Sequence, residues 1–176
     1  PTRGGGAITL AATPAIKKLG VSSRGRIFEI DPKIEYMIAP PRMHLYMEYS
    51  CKVYKVFLEF IAKEDIHVYS IDESFLDVTS YLKLYQVNAK ELAKKMLDRI
   101  YEKTGLTATV GIGTNLYLAK IAMDISAKHN ADRMAYLNED LYRQTLWHHV
   151  PLTDFWMLGN GTERRLHKLG IYDMYD

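Results

Sequence analysis

Several kinds of site are missing from this sequence of 176 residues because it lacks the residues that they need. Cys51 is the single cysteine, which rules out an internal disulfide and is typical of a reducing compartment. The sequence contains neither C-x-x-C nor H-E-x-x-H, the patterns typical of zinc sites. It also lacks the G-x-S-x-G pattern of a nucleophile elbow. No run of about 18 apolar residues occurs, so we predict no membrane span and expect a cytoplasmic protein.

Composition excludes little beyond this. The chain carries 23 Lys and Arg against 21 Asp and Glu, and the net charge of +2 permits nucleic-acid binding without demanding it. The hydrophobic fraction of 48% is enough for a core. Cys51 falls within a Tyr-rich helical pattern, and we predict a buried or half-buried thiol there rather than a reactive one.

Local patterns predict strands and helices along the whole chain. Apolar runs predict strands at residues 8–11, 34–39, 66–70, 75–78, 106–112 and 133–137. Apolar spacing and capping residues predict helices at residues 14–19, 43–61, 88–104, 115–127 and 138–147, and a helical turn followed by a helix within 150–170. This order gives an α/β or α+β domain with a mixed sheet, with a boundary near Val150 and Pro151.

Two adjacent carboxylates form the most distinctive feature. Asp72 and Glu73 lie between two apolar strands in the segment Tyr-Ser-Ile-Asp-Glu-Ser-Phe-Leu-Asp, residues 69–77. At a tight bend both side chains can reach one pocket, where their repulsion favours a bound cation such as Mg²⁺. Two such ions about 4 Å apart would serve in-line phosphoryl transfer. On spacing alone, a solvated hairpin turn is the commoner explanation.

A glycine-rich turn follows the predicted strand at 106–112. The segment Val110–Asn115 reads Val-Gly-Ile-Gly-Thr-Asn and leads into Leu-Ala-Lys-Ile-Ala at 118–122. Such a turn can present backbone N–H groups to a phosphate, although it lacks the spacing of a Walker P-loop. The two glycines equally fit close packing between a helix and a strand.

Basic residues and a second glycine pair have weaker meaning by themselves. Lys17, Lys18, Lys120 and Lys128 are ordinary surface charges individually, but together they would suit a triphosphate or a DNA backbone. The segment 156–171 contains Gly159-Asn160-Gly161 before a helix. It resembles a helix-hairpin-helix motif, whose free helix N-terminus binds a DNA phosphate, or is an ordinary αα-hairpin.

Taken together, these segments resemble the Y-family polymerases of the UmuC/DinB type, also called ImpB/MucB/SamB. The resemblance covers nearly the whole chain, through the segments 10–21, 68–77, 109–113, 118–122 and 159–161 in the family's order. It implies an α+β palm with a mixed, mainly antiparallel sheet backed by helices. It further implies part of a small fingers domain at 1–45, the palm at 46–150, and the helical start of the thumb at 151–176.

The resemblance also implies roles for individual residues. Asp72 and Glu73 would be catalytic and would bind two Mg²⁺ ions together with an Asp outside this chain. Lys17 and Lys128 would contact the incoming triphosphate, although the spacing from Lys120 to Lys128 is one residue longer than usual. Asp77 would be a structural hydrogen-bond acceptor. The residues implied to contact DNA are Lys120, Gly159, Gly161 and Thr162.

The implied activity is error-prone translesion DNA synthesis, with primer-template DNA and deoxynucleoside triphosphates as partners. A sliding clamp or a recombinase is a further partner that the resemblance allows. The family's first catalytic Asp and its little-finger domain have no match here, so we expect this chain to be an incomplete enzyme. The alternatives are a catalytically inactive DNA-binding or scaffolding module in DNA repair and, less favoured without a Gly-Gly-acidic turn, a palm-fold nucleotide cyclase.

Overall fold

The computed structural model of the protein describes residues 6–176, which separate into two units between Met47 and Glu48. The N-terminal unit contains helix α1 (Pro14–Lys17), which Thr13 caps, and a 3₁₀ turn at Ile27–Glu29. The apolar run at 8–11 forms one isolated bridge, from Ile8 to Arg26, and the run at 34–39 forms no strand. Both predicted strands are wrong, because an apolar run becomes a strand only where another segment pairs with it.

The other helices and strands have short connections. The helices are α2 (Met43–Phe57), α3 (Thr79–Tyr85), α4 (Ala89–Thr104), α5 (Leu116–Ile121), α6 (Glu139–Leu146) and α7 (Asn160–Lys168). The strands are β1 (Ile66–Val68), β2 (Ser74–Leu76), β3 (Val110–Gly113) and β4 (Met134–Leu137). The predicted elements of this region are confirmed, mostly with shorter bounds. Among residues 6–176, no helix combines the length and apolar character needed to span a membrane.

Capping residues explain where the central helices begin and end. The Asn88 side chain accepts a hydrogen bond from the Glu91 N–H, the Glu91 carboxylate accepts one from the Asn88 N–H, both at 2.9 Å, and Gly105 ends α4 at φ 71°. Helix α3 was not predicted. It follows Asp77, whose carboxylate accepts a hydrogen bond from the Thr79 N–H at 3.0 Å. Hydrogen bonding to the Thr79 side chain, and after it to the Thr79 backbone, lowers the pKa of Asp77, consistent with the predicted role of a structural acceptor.

Most of helix α2 is exposed or half-buried. Val56 is its buried residue, and Cys51 is exposed. The prediction of a buried or half-buried thiol is therefore wrong. The Tyr-rich composition around Cys51 indicated a helix correctly but did not say which face of that helix would be covered.

The four strands form two separate pairs. Strands β1 and β2 are antiparallel, with His67 opposite Phe75, whereas β3 and β4 are parallel, with Gly111 opposite Ala135. Both kinds of pairing are present, as expected for a mixed sheet, but the described residues contain no strand that joins the pairs. Helices and strand pairs alternate irregularly along the chain, which makes this an α+β architecture.

Two apolar clusters hold the larger unit together. One lies between α5, β4, α6 and the segment before α7, and its buried members are Leu118, Ile121, Ala122, Leu137, Leu146, Leu152 and Phe155. The other lies between α4 and the β1–β2 hairpin and contains Ile61, Leu92 and Met96. The hairpin and helix α5 are thus each supported by a cluster of their own.

Strand β3 touches helix α5 at backbone distance. A Cβ at Gly111 would overlap the carbonyl oxygen of Ala119 and the amide nitrogen of Met123, and a Cβ at Gly113 would overlap the amide nitrogen of Ala119. The glycines therefore serve helix-strand packing, which is one of the two explanations that the sequence left open. Their absent side chains fix how far α5 lies from the strand.

We expect Gly111→Ala to lower the free energy of unfolding by about 3 kcal/mol, because neither backbone can yield to the added methyl group. Urea denaturation followed by circular dichroism measures this loss. The matched control is Gly161→Ala, at an exposed site with no neighbouring atom within 4 Å, where a change within about 0.5 kcal/mol is expected. An equal loss in the two variants would show that the β3–α5 contact is not the cause.

Candidate active site

Asp72 and Glu73 lie in the turn that joins β1 to β2. The backbone N–H groups of Tyr69 and Ser70 both donate to the carbonyl oxygen of Glu73 at 3.0 Å, which closes the turn. The Ser70 hydroxyl donates to Asp72 Oδ1 at 2.9 Å. Asp72 is exposed, Glu73 is half-buried, and both line the same cleft. The turn therefore brings both carboxylates to one cleft.

The cleft has a volume of about 630 Å³ and lies within the larger unit, between the hairpin, α4, β3 and α5. Asp72, Glu73 and Lys120 are charged residues of its lining. Apolar side chains of the lining include Leu92, Met96, Ile112 and Met123. Charges that meet in such partly apolar surroundings interact more strongly than in open water.

Lys120 is buried against Glu73. Its side chain is 8% exposed, and its Nζ donates to both carboxylate oxygens of Glu73 at 2.8 Å and lies 3.1 Å from Asp124 Oδ2. Burial lowers the pKa of Lys120, but the bonds to Glu73 and Asp124 outweigh that effect and raise the pKa above its ordinary value. The ammonium therefore stays charged and has no donor left for a phosphate. The DNA contact implied for Lys120 stays a prediction, while the structure pairs its ammonium with Glu73 and Asp124.

Asp124 connects Lys120 to Lys128. The Asp124 carboxylate lies 2.8 Å from Lys128 Nζ through its other oxygen, so Glu73, Lys120, Asp124 and Lys128 form one chain of alternating charge. The residues 122–126 that carry Asp124 form a π-helical turn, which holds more residues than an α-helical one. The extra residue noted between Lys120 and Lys128 coincides with this turn. Lys128 is half-exposed, with a side chain 53% accessible.

Sequence reasoning missed Asp124 as part of the site. The signal was present, because Lys120, Asp124 and Lys128 follow one another at four-residue steps along a helix, a spacing at which side chains meet.

The remaining predicted site residues belong to α1 and to the region of α7. Lys17 ends α1 in the N-terminal unit and is exposed. Gly159 precedes α7, with Gly161 and Thr162 in its first turn. The segment before α7 holds a 3₁₀ turn at Leu152–Asp154, in agreement with the predicted helical turn before a helix.

An aromatic cluster, also missed from the sequence, fixes the hairpin against the segment before α7. Trp156 packs on Tyr69, Phe75 and Tyr117 with ring centroids 5.7, 5.9 and 6.2 Å apart, and its indole N–H donates to the Tyr69 hydroxyl at 3.2 Å. Because Tyr69 and Phe75 flank the turn, this cluster orients Asp72 and Glu73.

The carboxylates fit a divalent cation only in part. Asp72 and Glu73 supply the hard oxygen donors that Mg²⁺ prefers. Between residues 6 and 176, however, no three His, Cys, Asp or Glu side chains are grouped so that they could hold a metal ion. The oxygens of Glu73 and Asp124 face lysine ammonium groups.

Comparison with known proteins identifies the family. The impB/mucB/samB family matches residues 2–124, and the chain belongs to this family. Two relatives come from Bacillus subtilis (strain 168). One of them, UvrX, is named for UV-damage repair and is 37% identical over 94% of this chain and 39% of its own length. The other, named DNA polymerase IV 2, is 34% identical over 94% of this chain and 40% of its own length.

Solved structures agree with this assignment. An insertion ternary complex of Dbh DNA polymerase matches with a TM-score of 0.71 and 28% identity, over 91% of this chain and 45% of that one. A DinB family error-prone DNA polymerase from Sulfolobus solfataricus matches with a TM-score of 0.70 and 26% identity, over 96% and 50%. The resemblance and the α+β fold predicted from the sequence are confirmed. The chain spans about two fifths of the length of these curated relatives, at 39% and 40%.

We expect Trp156→Ala to lower the free energy of unfolding by about 2 kcal/mol, because three ring contacts are lost. Trp156→Phe retains a ring and loses the hydrogen bond to Tyr69, so a loss of about 1 kcal/mol is expected. Urea denaturation followed by circular dichroism at 222 nm, a wavelength for helix content, gives both values. Equal stability of Trp156→Ala and the parent would show that the cluster does not hold the hairpin.

Proposed function

We propose that these residues form the catalytic palm region of a Y-family DNA polymerase that adds nucleotides opposite damaged template bases. The observation that carries the proposal is the pair of adjacent carboxylates, Asp72 and Glu73, that a closed hairpin directs to one cleft. Relatives named DNA polymerase IV support nucleotidyl transfer to DNA. They favour it over a catalytically inactive scaffolding module.

Asp72 and Glu73 are the residues that would hold Mg²⁺, jointly with an Asp from outside this chain. Two such ions, when bound, neutralise a triphosphate and activate a primer 3′-oxygen. The chain's own contribution is to hold the two carboxylates at a fixed bend, through the Ser70 hydroxyl on Asp72 and the Lys120 ammonium on Glu73. We expect little or no primer extension from residues 1–176 alone, because this pair is only part of a metal-binding set.

Substrate contacts are proposed for basic residues and a helix end. Lys128, half-exposed beyond Asp124, would bind the triphosphate of a deoxynucleotide, and Lys17 would do so from the fingers. The N-terminus of α7, with Gly159, Gly161 and Thr162, would bind the backbone of primer-template DNA. Correspondingly, we propose fingers at 1–45, palm at 46–150 and the start of the thumb at 151–176. A cytoplasmic location and a clamp or recombinase partner rest on family resemblance alone.

The catalytic role of the carboxylates is tested in a chimera in which residues 1–176 replace the matching segment of the Bacillus subtilis DNA polymerase IV 2. Asp72→Asn combined with Glu73→Gln is expected to slow Mg²⁺-dependent primer extension about a thousandfold, because about 4 kcal/mol of transition-state stabilisation is lost. These substitutions preserve shape and leave Lys120 a hydrogen-bond acceptor. The measurement is single-nucleotide incorporation on a primed template.

The matched control for that experiment is an adjacent acidic pair outside the cleft lining, Glu139 and Asp140, which is exposed at the start of α6. Glu139→Gln with Asp140→Asn should leave incorporation unchanged. Undiminished incorporation by the Asp72 and Glu73 variant would refute their catalytic role.

The role of Lys128 is tested with the same chimera. Lys128→Ala should raise the KM for the incoming deoxynucleotide about tenfold with a smaller change in kcat, because a charged contact to the triphosphate is lost. Lys94→Ala is the control, since Lys94 also forms an i,i+4 ion pair with an Asp, at 2.7 Å. A KM that rises equally in both variants, or in neither, would argue against triphosphate binding by Lys128.

A further inference from the structure

The Lys120 ammonium occupies the position of a cation at Glu73. It donates to Oε1 and Oε2 of that carboxylate at 2.8 Å each, so it engages both oxygens through which Glu73 could bind a metal ion. Its remaining contacts are Asp124 Oδ2 at 3.1 Å and the face of the Tyr69 ring, with Nζ 5.9 Å from the centroid. Both sides of the ammonium are thereby fixed.

Moving the Lys120 side chain out of this position costs free energy. Lysine is rarely buried unless it is paired, and this residue is 7% exposed on helix α5. The helix itself is held at backbone distance from β3 by Gly111 and Gly113. A cation that approaches Glu73 must therefore share its oxygens with the ammonium, since helix α5 does not carry the ammonium away.

We propose that Lys120 is a built-in counter-ion of Glu73: it positions this carboxylate towards the cleft and competes with a divalent cation for the same oxygens. The inference rests on the proposed metal-binding role of Glu73 and goes beyond it by assigning a positioning residue. Lys120 keeps two neighbouring carboxylates, Glu73 and Asp124, compatible in the absence of a metal ion. The same contact keeps the affinity for a free cation low.

A purely structural role of the Lys120–Glu73 ion pair would have a different effect on cation binding. Removal of one partner from a buried pair lowers stability whether or not a metal ion ever binds. Competition, in contrast, requires that loss of the ammonium raises cation affinity, because the charge that opposed the cation is gone while the carboxylates remain. Cation affinity is therefore the readout that separates the two.

The experiment is a Mn²⁺ titration of the 176-residue chain, in which free Mn²⁺ is followed by its electron paramagnetic resonance signal at constant ionic strength. Lys120→Met removes the charge at similar length, Lys120→Gln removes it but retains a donor for Glu73, and Lys120→Arg retains it. Lys90→Met is the control, because Lys90 forms an exposed ion pair with Asp132 at 2.8 Å. Circular dichroism establishes which variants are folded, and Lys120→Gln serves if Lys120→Met does not fold.

We expect the uncharged variants to bind Mn²⁺ about tenfold more tightly than the parent, with Lys120→Arg and Lys90→Met unchanged. Unchanged or weaker binding in a folded, uncharged variant overturns the proposal, and so does an absence of binding in both the parent and that variant. Asp72→Asn separates this result from the proposed function. If Asp72→Asn weakens Mn²⁺ binding while loss of Lys120 has no effect, the metal site stands and the counter-ion role fails. If loss of Lys120 tightens Mn²⁺ binding while Asp72→Asn has no effect, the counter-ion role stands and the metal-binding role of Asp72 fails.

Discussion

The backbone contact between β3 and α5 determines where the charges of the cleft lie. Gly111 and Gly113 let helix α5 approach strand β3 so closely that a Cβ atom would not fit between them. This contact fixes the position of the Lys120 backbone. From there the ammonium reaches Glu73, 47 residues earlier in the chain, without solvent between them. A glycine pair that looks like a phosphate loop in the sequence thus acts through packing, and its electrostatic consequence appears on the facing hairpin.

The hairpin is held from two sides by different kinds of interaction. Lys120 pairs with Glu73 by charge, whereas Trp156 packs against Tyr69 and Phe75 and donates a hydrogen bond to the Tyr69 hydroxyl. Charge screening by salt does not weaken an apolar contact, and burial reduces the screening of the ion pair. A three-residue strand on each side of the turn would orient two carboxylates poorly by itself. The supports from α5 and from the segment before α7 compensate for those short strands.

Features that depend on neighbouring residues were predictable from the sequence, and features that depend on distant ones were not. Asn88, Asn115 and Asn138 each cap a helix in the structure, because capping involves residues only three apart. The N-terminal strands failed, since pairing partners are not a local property. The burial of Lys120 was not predicted, for the same reason. A lysine on a helix is a surface charge unless the fold brings a carboxylate to it.

Adjacent acidic residues alone say little about catalysis, and this chain provides the comparison. Glu139 and Asp140 are also adjacent, yet they lie exposed in the first turn of α6, where negative charge stabilises the helix N-terminus. Asp72 and Glu73 differ in that both line a cleft, where the Ser70 hydroxyl donates to one and the Lys120 ammonium to the other. Fixing two like charges side by side costs free energy, and a nearby opposite charge offsets that cost. The Lys120 ammonium supplies that opposite charge at Glu73, from a helix held at backbone distance from β3, so the two carboxylates stay compatible in the folded chain.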